Sequence, residues 1–365
     1  MPTDNNPPLQ GDSRPEFKVD QQVKPDLTRD LILLQIEEDI DGLKRLSCSL
    51  VGVGPREGEQ SEVFQYLDGS VIDFGKAFSV SVGAGDGRAE VFKGKISAIE
   101  LNMDQGRAPE VTCLAEDSLM DLRMTRRFKT YENVSDGDLV QQIASQHGLR
   151  AQADVSGPTY ASIQQWNQSD LAFLRERARR MAADVWVADD TLHMATRDQR
   201  HGEQITLIQG NTLLQVSLRA DLAHQRSEVS AGGWDDAQAE AVDEKATSSE
   251  VDAEAQGQRH GVSVLTTAFG ERASYRVREV PLKGEEAKAW ARATMLTRAR
   301  RFVTARGVAN GHAKIQVGAL LRLERVSAPF EGDGYYVTQV RHEYDLAHGY
   351  RTHFEAERAW VGQGS

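Results

Sequence analysis

A mainly β chain with an α/β insert (α+β), built on two antiparallel β units, is the fold class this sequence predicts. Apolar and polar residues alternate with a period of two near both ends, as in Phe78, Val80 and Val82 against Ser79 and Ser81. Helical periodicity is concentrated between residues 116 and 205 and in one later segment. The 365 residues, 39% hydrophobic and 27% charged with 31 Gly and only 10 Pro, have a globular composition sized for two or three compact units. Strands that return after intervening helices suggest two antiparallel barrels or sandwiches, with the first and last segments as scaffold.

Residues 1–26 hold half of the prolines (Pro2, Pro7, Pro8, Pro15 and Pro25) among polar residues that bury too little surface to offset ordering entropy, and read as a flexible arm. Residues 27–115 are the first β unit, with LILLQIE, KRLSCSLVGVG, FSVSVGAGDGRAEVFKGKISAIELN and PEVTCLAED as strands and GAGDG, residues 83–87, as a hairpin loop. Residues 116–205 are the α/β insert. Ser135 followed three residues later by Asp138 starts a capped helix over 136–147, with Leu139, Val140, Ile143 and Ala144 on its apolar face and Gly148 as its stop. A second helix starts near Ser169 and Asp170 and runs through LAFLRERARRMAADV, and VWVADDTLHMA folds back on itself at Asp189 and Asp190.

Residues 206–232 and 305–360 form the second β unit, and 233–304 an excursion from it. Between Trp234 and Gln256 eight acids face one lysine, which predicts a mobile loop. The stretch EEAKAWARATMLTRARRF then reads as a helix with Ala287, Trp290, Ala291, Thr294 and Phe302 inward. The last strands are AKIQVGALLRLER, GYYVTQVRHEYD and GYRTHFEAERAW. Tyr336, Thr338, Val340, His342 and Tyr344 share one face, and DLAHG ends in Gly349, suited to positive φ at a hairpin corner.

A net charge of −12 disfavours a general electrostatic grip on nucleic acid or an anionic membrane, and no segment approaches the ~20 apolar residues of a membrane span. With no signal-like apolar stretch at the N-terminus, assembly in the cytoplasm is expected. Cys48 and Cys113 lie in apolar strands without a CxxC or His/Cys cluster, and read as buried thiols. GAGDG sits between strands, where a dinucleotide-binding loop would need a strand and a helix. Asp189–Asp190 and Asp235–Asp236 read as solvated turn acids. His342 and His353 fall on opposite faces, so the C-terminal histidines, His348 included, do not predict a metal site. No catalytic, cofactor-binding or metal-binding residues are singled out. Two basic clusters, Arg123/Arg126/Arg127/Lys129 and Arg298/Arg300/Arg301/Arg306, suit either an acidic partner or helix C-terminal carbonyls.

Four segments in order, RRFKTYENVSDGDLVQQIASQHGL, QQWNQSDLAFLRERARRMAADVWVADDTLHM, VSAGGWDDAQAEA and VGALLRLERVSAPFEGDGYYVTQVRHEYDLAHGYRTHFEAER, resemble the phage late control gene D proteins. These are similar to contractile-tail hub proteins and to the hub region of type VI secretion valine-glycine repeat G spikes. The resemblance spans about residues 30–360. It implies two β-barrel domains per chain and a homotrimer forming a pseudo-sixfold ring that adapts a sixfold inner tube protein to a threefold spike. Other baseplate proteins would be further partners, and neither a cofactor, membrane insertion nor specific nucleic acid is implied. The sequence stops soon after FEAERAW, which leads us to expect the spike as a separate chain, and a phage tail or phage-like injection particle as the setting. The alternative reading is a tail-associated peptidoglycan hydrolase or glycan-binding module, with Glu132, Asp136 and Asp138 of the insert as its carboxylates.

Overall fold

Strands Gly332–Asp345 and Gly349–Arg358 form one long hairpin that belongs to both β units of the computed structural model. The structure describes residues 14–55, 62–83, 88–200, 202–236, 238–277 and 283–362. The turn of the hairpin fulfils its sequence pattern: Gly349 has φ +68°, and the Asp345 carboxylate accepts the backbone N–H groups of Ala347 and His348.

The first strand of the hairpin changes neighbours along its length. Its early half, to Tyr336, pairs with Leu320–Glu324, and its late half, from Gln339, pairs with Leu31–Asp39. Between them the register against Gly349–Arg358 shifts at Val337/Gln339. That extra residue inverts the alternation, as a bulge must. Tyr335 and Val337 enter the second core while Val340, His342 and Tyr344 are buried beyond the bulge. The uninterrupted alternation expected from Tyr336 through Thr338 to Tyr344 is therefore corrected: Thr338 is only partly buried, and Tyr336 turns toward the insert.

From Leu31–Asp39 the first unit continues in antiparallel order through Arg45–Val51, Glu110–Glu116, Ala89–Asn102 and Ala77–Val82 to Glu16–Val19 and Gln22–Val23. Phe17, Val19 and Leu27 are buried in its core, so the flexible arm expected over 1–26 is corrected for residues 14–26. The EFKV segment alternates polar and apolar residues, and this local signal outweighs the surrounding proline. Residues 1–13 lie outside the described residues, as does most of the GAGDG loop. Cys48 and Cys113 face each other across neighbouring strands as free, buried thiols. Burial pushes the Cys113 thiol up to about 12, so neither behaves as a reactive thiolate.

In the second unit, Leu213–Ala220, Val303–Asn310, the hairpin, Leu320–Glu324 and Gln204–Ile208 follow one another in the same thirteen-stranded sheet. Its outermost strands are joined by a tight turn and the single bridge Gln209↔Leu213, without a ladder between them. The segment AKIQVG, expected as strand, is irregular, and strand begins only at Leu320.

The insert holds the predicted helix Asp136–Gln146 with its Ser135/Asp138 capping box, and helix Asp170–Arg179 capped by Ser169. The second helix stops earlier than its periodicity suggests, because Ala182 adopts φ +52° and the chain re-enters a strand at Ala183. Asp189 and Asp190 both have positive φ, as a two-residue hairpin turn requires.

The acidic excursion is folded, which corrects the expected mobile loop. Glu228–Asp235 pairs with Glu240–Thr247 and Ala273–Val277, and helix Gly284–Arg300 packs Ala287, Trp290, Ala291 and Met295 against this sheet. Val242, Ala246, Val251 and Ala255 supply enough inward apolar positions to hold a sequence whose average composition is polar. Among the described residues no helix is long and apolar enough to cross a membrane.

His342 gives the hairpin a pH signature. It is buried against Tyr350 Oη at 2.8 Å and Thr352 Oγ1 at 3.3 Å. Burial, then the charges of Lys44 and His312, lowers its pKa from 6.5 to about 3. In that window the unfolded chain binds a proton that the folded chain refuses, so this contribution to stability is present above pH 6.5 and lost as pH falls toward 3. We expect His342→Gln to flatten the acid side of the stability profile relative to wild type, checked by urea midpoints across that range.

Candidate functional site: an arginine-lined junction and an exposed aromatic ribbon

The second basic cluster comes together in space. Arg298, Arg300, Arg301 and Arg306 line a cleft of about 820 Å³, joined by Arg179, Arg180 and Arg197 of the insert. The cleft lies where the insert, both β units and the excursion meet, and most of its arginines are ties between them. Arg300, 6% exposed, donates through Nε to Glu254 and through Nη1 to the Ala182 carbonyl. Arg179 reaches Asp41 at 3.0 Å, Arg180 stacks over Trp290, and Arg306 pairs with Glu355 at 2.9 Å. Arg301 is exposed.

Beneath the cleft runs a buried network. Arg197 pairs with Glu357 at 2.5 Å and lies over the Tyr336 ring, while the Tyr336 hydroxyl donates to Asp184 at 2.5 Å. Arg200 joins Asp184 at 3.2 Å and Glu38 at 3.6 Å, and stacks 3.9 Å from the Trp186 ring. Lys44 completes the chain to Glu38 at 3.2 Å. Burial raises the Tyr336 pKa, with Asp184 adding to the shift, so the phenol remains a donor. Asp117 nearby accepts the Lys44 and Leu119 backbone N–H groups, yet burial pushes it up to about 7. Its effect runs opposite to that of His342, since a carboxyl held protonated by the fold stabilises below its ordinary pKa and loses that contribution as pH rises to about 7.

The three carboxylates of the hydrolase alternative serve separate ends. Asp136 is 2% exposed and takes a bidentate bond from Arg177, itself 4% exposed, at 2.6 and 3.1 Å. Asp138 caps its helix, and the hydrogen bonds from Ser135 lower its pKa. Glu132 is exposed on a strand. Asp190 is a tie between units, reaching Lys93 at 2.9 Å. Asp235 is buried and accepts from the Gln238 backbone, and Asp236 is exposed. His342 faces inward while His353 lies beside Arg341 and Glu343 on the other face of the hairpin.

The first basic cluster flanks a two-stranded ribbon, Arg126–Val134 with Tyr160–Ser169. Arg127 meets Asp170, a fully buried carboxylate that also binds His147 at 2.8 Å and Gln165 at 2.9 Å. Arg123 pairs with Glu116, Arg126 donates to Asn167, and the Lys129 ammonium lies 4.3 Å over the Tyr131 ring. Tyr131 and Ile163 face the insert core. On the outer face Phe128 and Trp166 oppose each other, 80% and 70% exposed. Sequence reasoning passed over this pair, although Trp166 sits at outward parity between the buried Ile163 and Gln165 on one side and polar Asn167 on the other.

Three solved structures share this architecture. The 43 kDa tail protein of prophage MuSo2 from Shewanella oneidensis superposes with a TM-score of 0.71 at 12% identity, covering 95% of this chain and 98% of that one. A tail protein from Neisseria meningitidis gives 0.67 at 13%, covering 95% and 97%. An Escherichia coli component of the type VI secretion system, described as structurally similar to the T4 tail proteins gp27 and gp5, gives 0.58 at 11%, covering 96% and 79%. At these identities the likeness defines the fold, and that fold is the one of phage tail proteins. The sequence model of the Alg8 N-terminal domain family matches residues 39–345, and the chain belongs to that family. No curated protein matches the chain.

The Asp136–Arg177 pair carries a direct test of the insert. Asp136→Ala strands a buried guanidinium and is expected to cost about 3–5 kcal/mol. Asp138→Ala should cost much less, since its exposed carboxylate only caps a helix. Urea unfolding of both variants checks the order.

Proposed function

We propose that this chain is a non-enzymatic trimeric hub, of the late control gene D type, in the baseplate of a contractile phage tail or phage-like injection system. In this role it adapts a sixfold inner tube to a threefold spike. The observation that carries the reading is the shared hairpin: two β units are welded into one sheet through Gly332–Asp345, so each chain offers two β surfaces in a fixed mutual arrangement. Three such chains present six surfaces about a threefold axis, which is what a sixfold tube resting on a threefold spike requires. The fold likeness to tail proteins over 95% of the chain supports the same reading. Partners on this reading are two further copies, a spike protein, the inner tube protein and other baseplate proteins, assembled in the cytoplasm into the particle.

The hydrolase alternative finds less support, because Asp136 is held by Arg177 and Asp138 by its helix cap. The test is the solution mass of the full chain by light scattering, alone and with the candidate spike protein. A mass near three times 40.4 kDa, or an equimolar complex with the spike, is expected. A chain that stays monomeric and ignores the spike contradicts the hub.

A further inference from the structure

The two β units are built on one plan. In the first, the strands Leu31–Asp39, Arg45–Val51, Ala77–Val82, Ala89–Asn102 and Glu110–Glu116 lie side by side in the order first, second, fifth, fourth, third. In the second, Leu213–Ala220, Val303–Asn310, Leu320–Glu324, Gly332–Asp345 and Gly349–Arg358 repeat that order. The irregularities repeat with it. The ladder between first and second strands shifts at Leu31/Leu33 in one unit and at Leu213/Gln215 in the other. The ladder between fourth and fifth strands shifts at Ile96/Ala98 and at Val337/Gln339. Bulges pin register, so these positions align the units residue by residue: Leu33 matches Gln215, and Gln339 matches Ala98.

Inside the chain the units meet through a ladder between a fourth strand and a first strand. The late half of Gly332–Asp345 runs antiparallel to Leu31–Asp39, with Arg341 opposite Glu37, His342 opposite Ile36 and Tyr344 opposite Leu34. The matching edges at the outer ends lack this neighbour. Ala77–Val82 accompanies Ala89–Asn102 only as far as Lys95, so from Ala98 onward Glu110–Glu116 is the one ladder partner among the described residues. Leu213–Ala220 ends the sheet beside Val303–Asn310. The Asp221 N–H bonds to the Phe302 carbonyl, and the alternation of an antiparallel ladder then turns the N–H and C=O groups of Val216, Leu218 and Ala220 outward.

Counted from the bulges, Glu100 stands where Arg341 does and Arg219 where Glu37 does, so the facing charges are again opposite, with their signs exchanged. Leu101 and Met103 stand for His342 and Tyr344. Those two are buried beneath their neighbouring strand, whereas Leu101 and Met103 are 41% and 64% exposed. Glu100 is exposed, and Arg219 reaches Asp221 at 2.6 Å while its side chain stays in solvent.

We propose that the late half of Ala89–Asn102 in one copy pairs as a strand with Leu213–Ala220 of the next copy, in the register of the ladder inside the chain. Glu100 then faces Arg219, Leu101 faces Leu218 and Met103 faces Val216. The added strand satisfies backbone groups left open at both edges and covers the two exposed apolar side chains. One edge meets a different edge, so the contact repeats from copy to copy and closes a ring in which junctions within and between chains are alike. The proposal rests on the trimer reading and supplies its contact.

The test uses the full-length chain by light scattering over a range of concentrations, with thermal midpoints to verify folding. Wild type is expected at three-copy mass. Glu100→Arg should shift it toward one-copy mass, and adding Arg219→Glu to the same chain should restore three copies. Ala220→Pro removes an outward N–H that the chain's own ladder does not use, and should also dissociate the assembly. A second arm reads the register directly. In the proposed ladder Glu100 and Arg219 are a non-hydrogen-bonded pair, where side chains approach most closely. Glu100→Cys with Arg219→Cys, treated with oxidised glutathione, should join chains into covalent dimers and trimers on a non-reducing gel, each new disulfide converting one oxidised glutathione to two thiols. Either cysteine variant alone should stay at one-chain mass. A trimeric chain that does not cross-link, or whose Glu100→Arg and Ala220→Pro variants remain trimeric, overturns this contact and leaves the trimer reading standing. Dissociation by Glu100→Arg without rescue by Arg219→Glu overturns the register. A wild-type chain that is monomeric at every concentration overturns both readings.

Discussion

The bulge at Val337/Gln339 is the constraint on which the remaining architecture depends. One strand serves two cores, and part-way along it an extra residue reverses which side chains point inward. Before the bulge, Tyr335 and Val337 fill the second core; well past it, Tyr344 packs in the first. The return strand repeats the division, with Phe354 and Ala356 in one core and Tyr350 in the other. Gly307 belongs to this packing, because a Cβ there would strike the Phe354 ring. The two β units thus form a continuous surface, and their relative orientation is a property of a strand rather than of a linker.

Buried charge ties the insert and the excursion to this sheet. Glu38, Asp184, Arg197, Arg200, Tyr336 and Glu357 form a connected set, and separately Arg300 holds Glu254 and the Ala182 carbonyl, tying the excursion to the insert. Desolvation offsets much of the Coulombic attraction in such pairs, so their principal contribution is directional. Gly42 illustrates the closeness of fit: it has φ +88°, and an added Cβ would collide with the Val185 carbonyl of the insert. On the proposed hub reading, docking surfaces presented at fixed angles need this fixity. Arg179, Arg180, Arg197 and Arg300 of the junction cleft are taken up by these ties.

Much of this fold was legible in the sequence, for local reasons. Period-two alternation marked the strands from Leu31 to Glu116 and the C-terminal hairpin, Ser135 and Asp138 marked a helix start, and Gly349 marked a turn. What escaped depends on distant contacts. The bulge at Thr338 has no compositional signature, and its consequence for Tyr336 follows from the position of Asp184 far earlier in the chain. The strand at Glu16–Val19 was hidden by proline-rich surroundings, and Glu240–Thr247 by its acids, although Val242 and Ala246 kept the inward parity. For the candidate site, the basic clusters were visible as composition, but their pairing was not. Asp170 and Glu254, which absorb Arg127 and Arg300, come from other elements. Phe128 and Trp166 lie in strands far apart in sequence, so only pairing shows that they face one another.

On the proposed reading, a rigid pair of β units per chain is multiplied into a ring of six quasi-equivalent surfaces. Electron microscopy of the purified assembly, viewed down its axis, tests this most directly. Six similar lobes in a closed ring with threefold symmetry are predicted, each chain contributing two adjacent lobes. A particle without a closed ring, or one whose paired lobes vary in mutual orientation from image to image, would contradict the claim that the shared hairpin holds the two units as one.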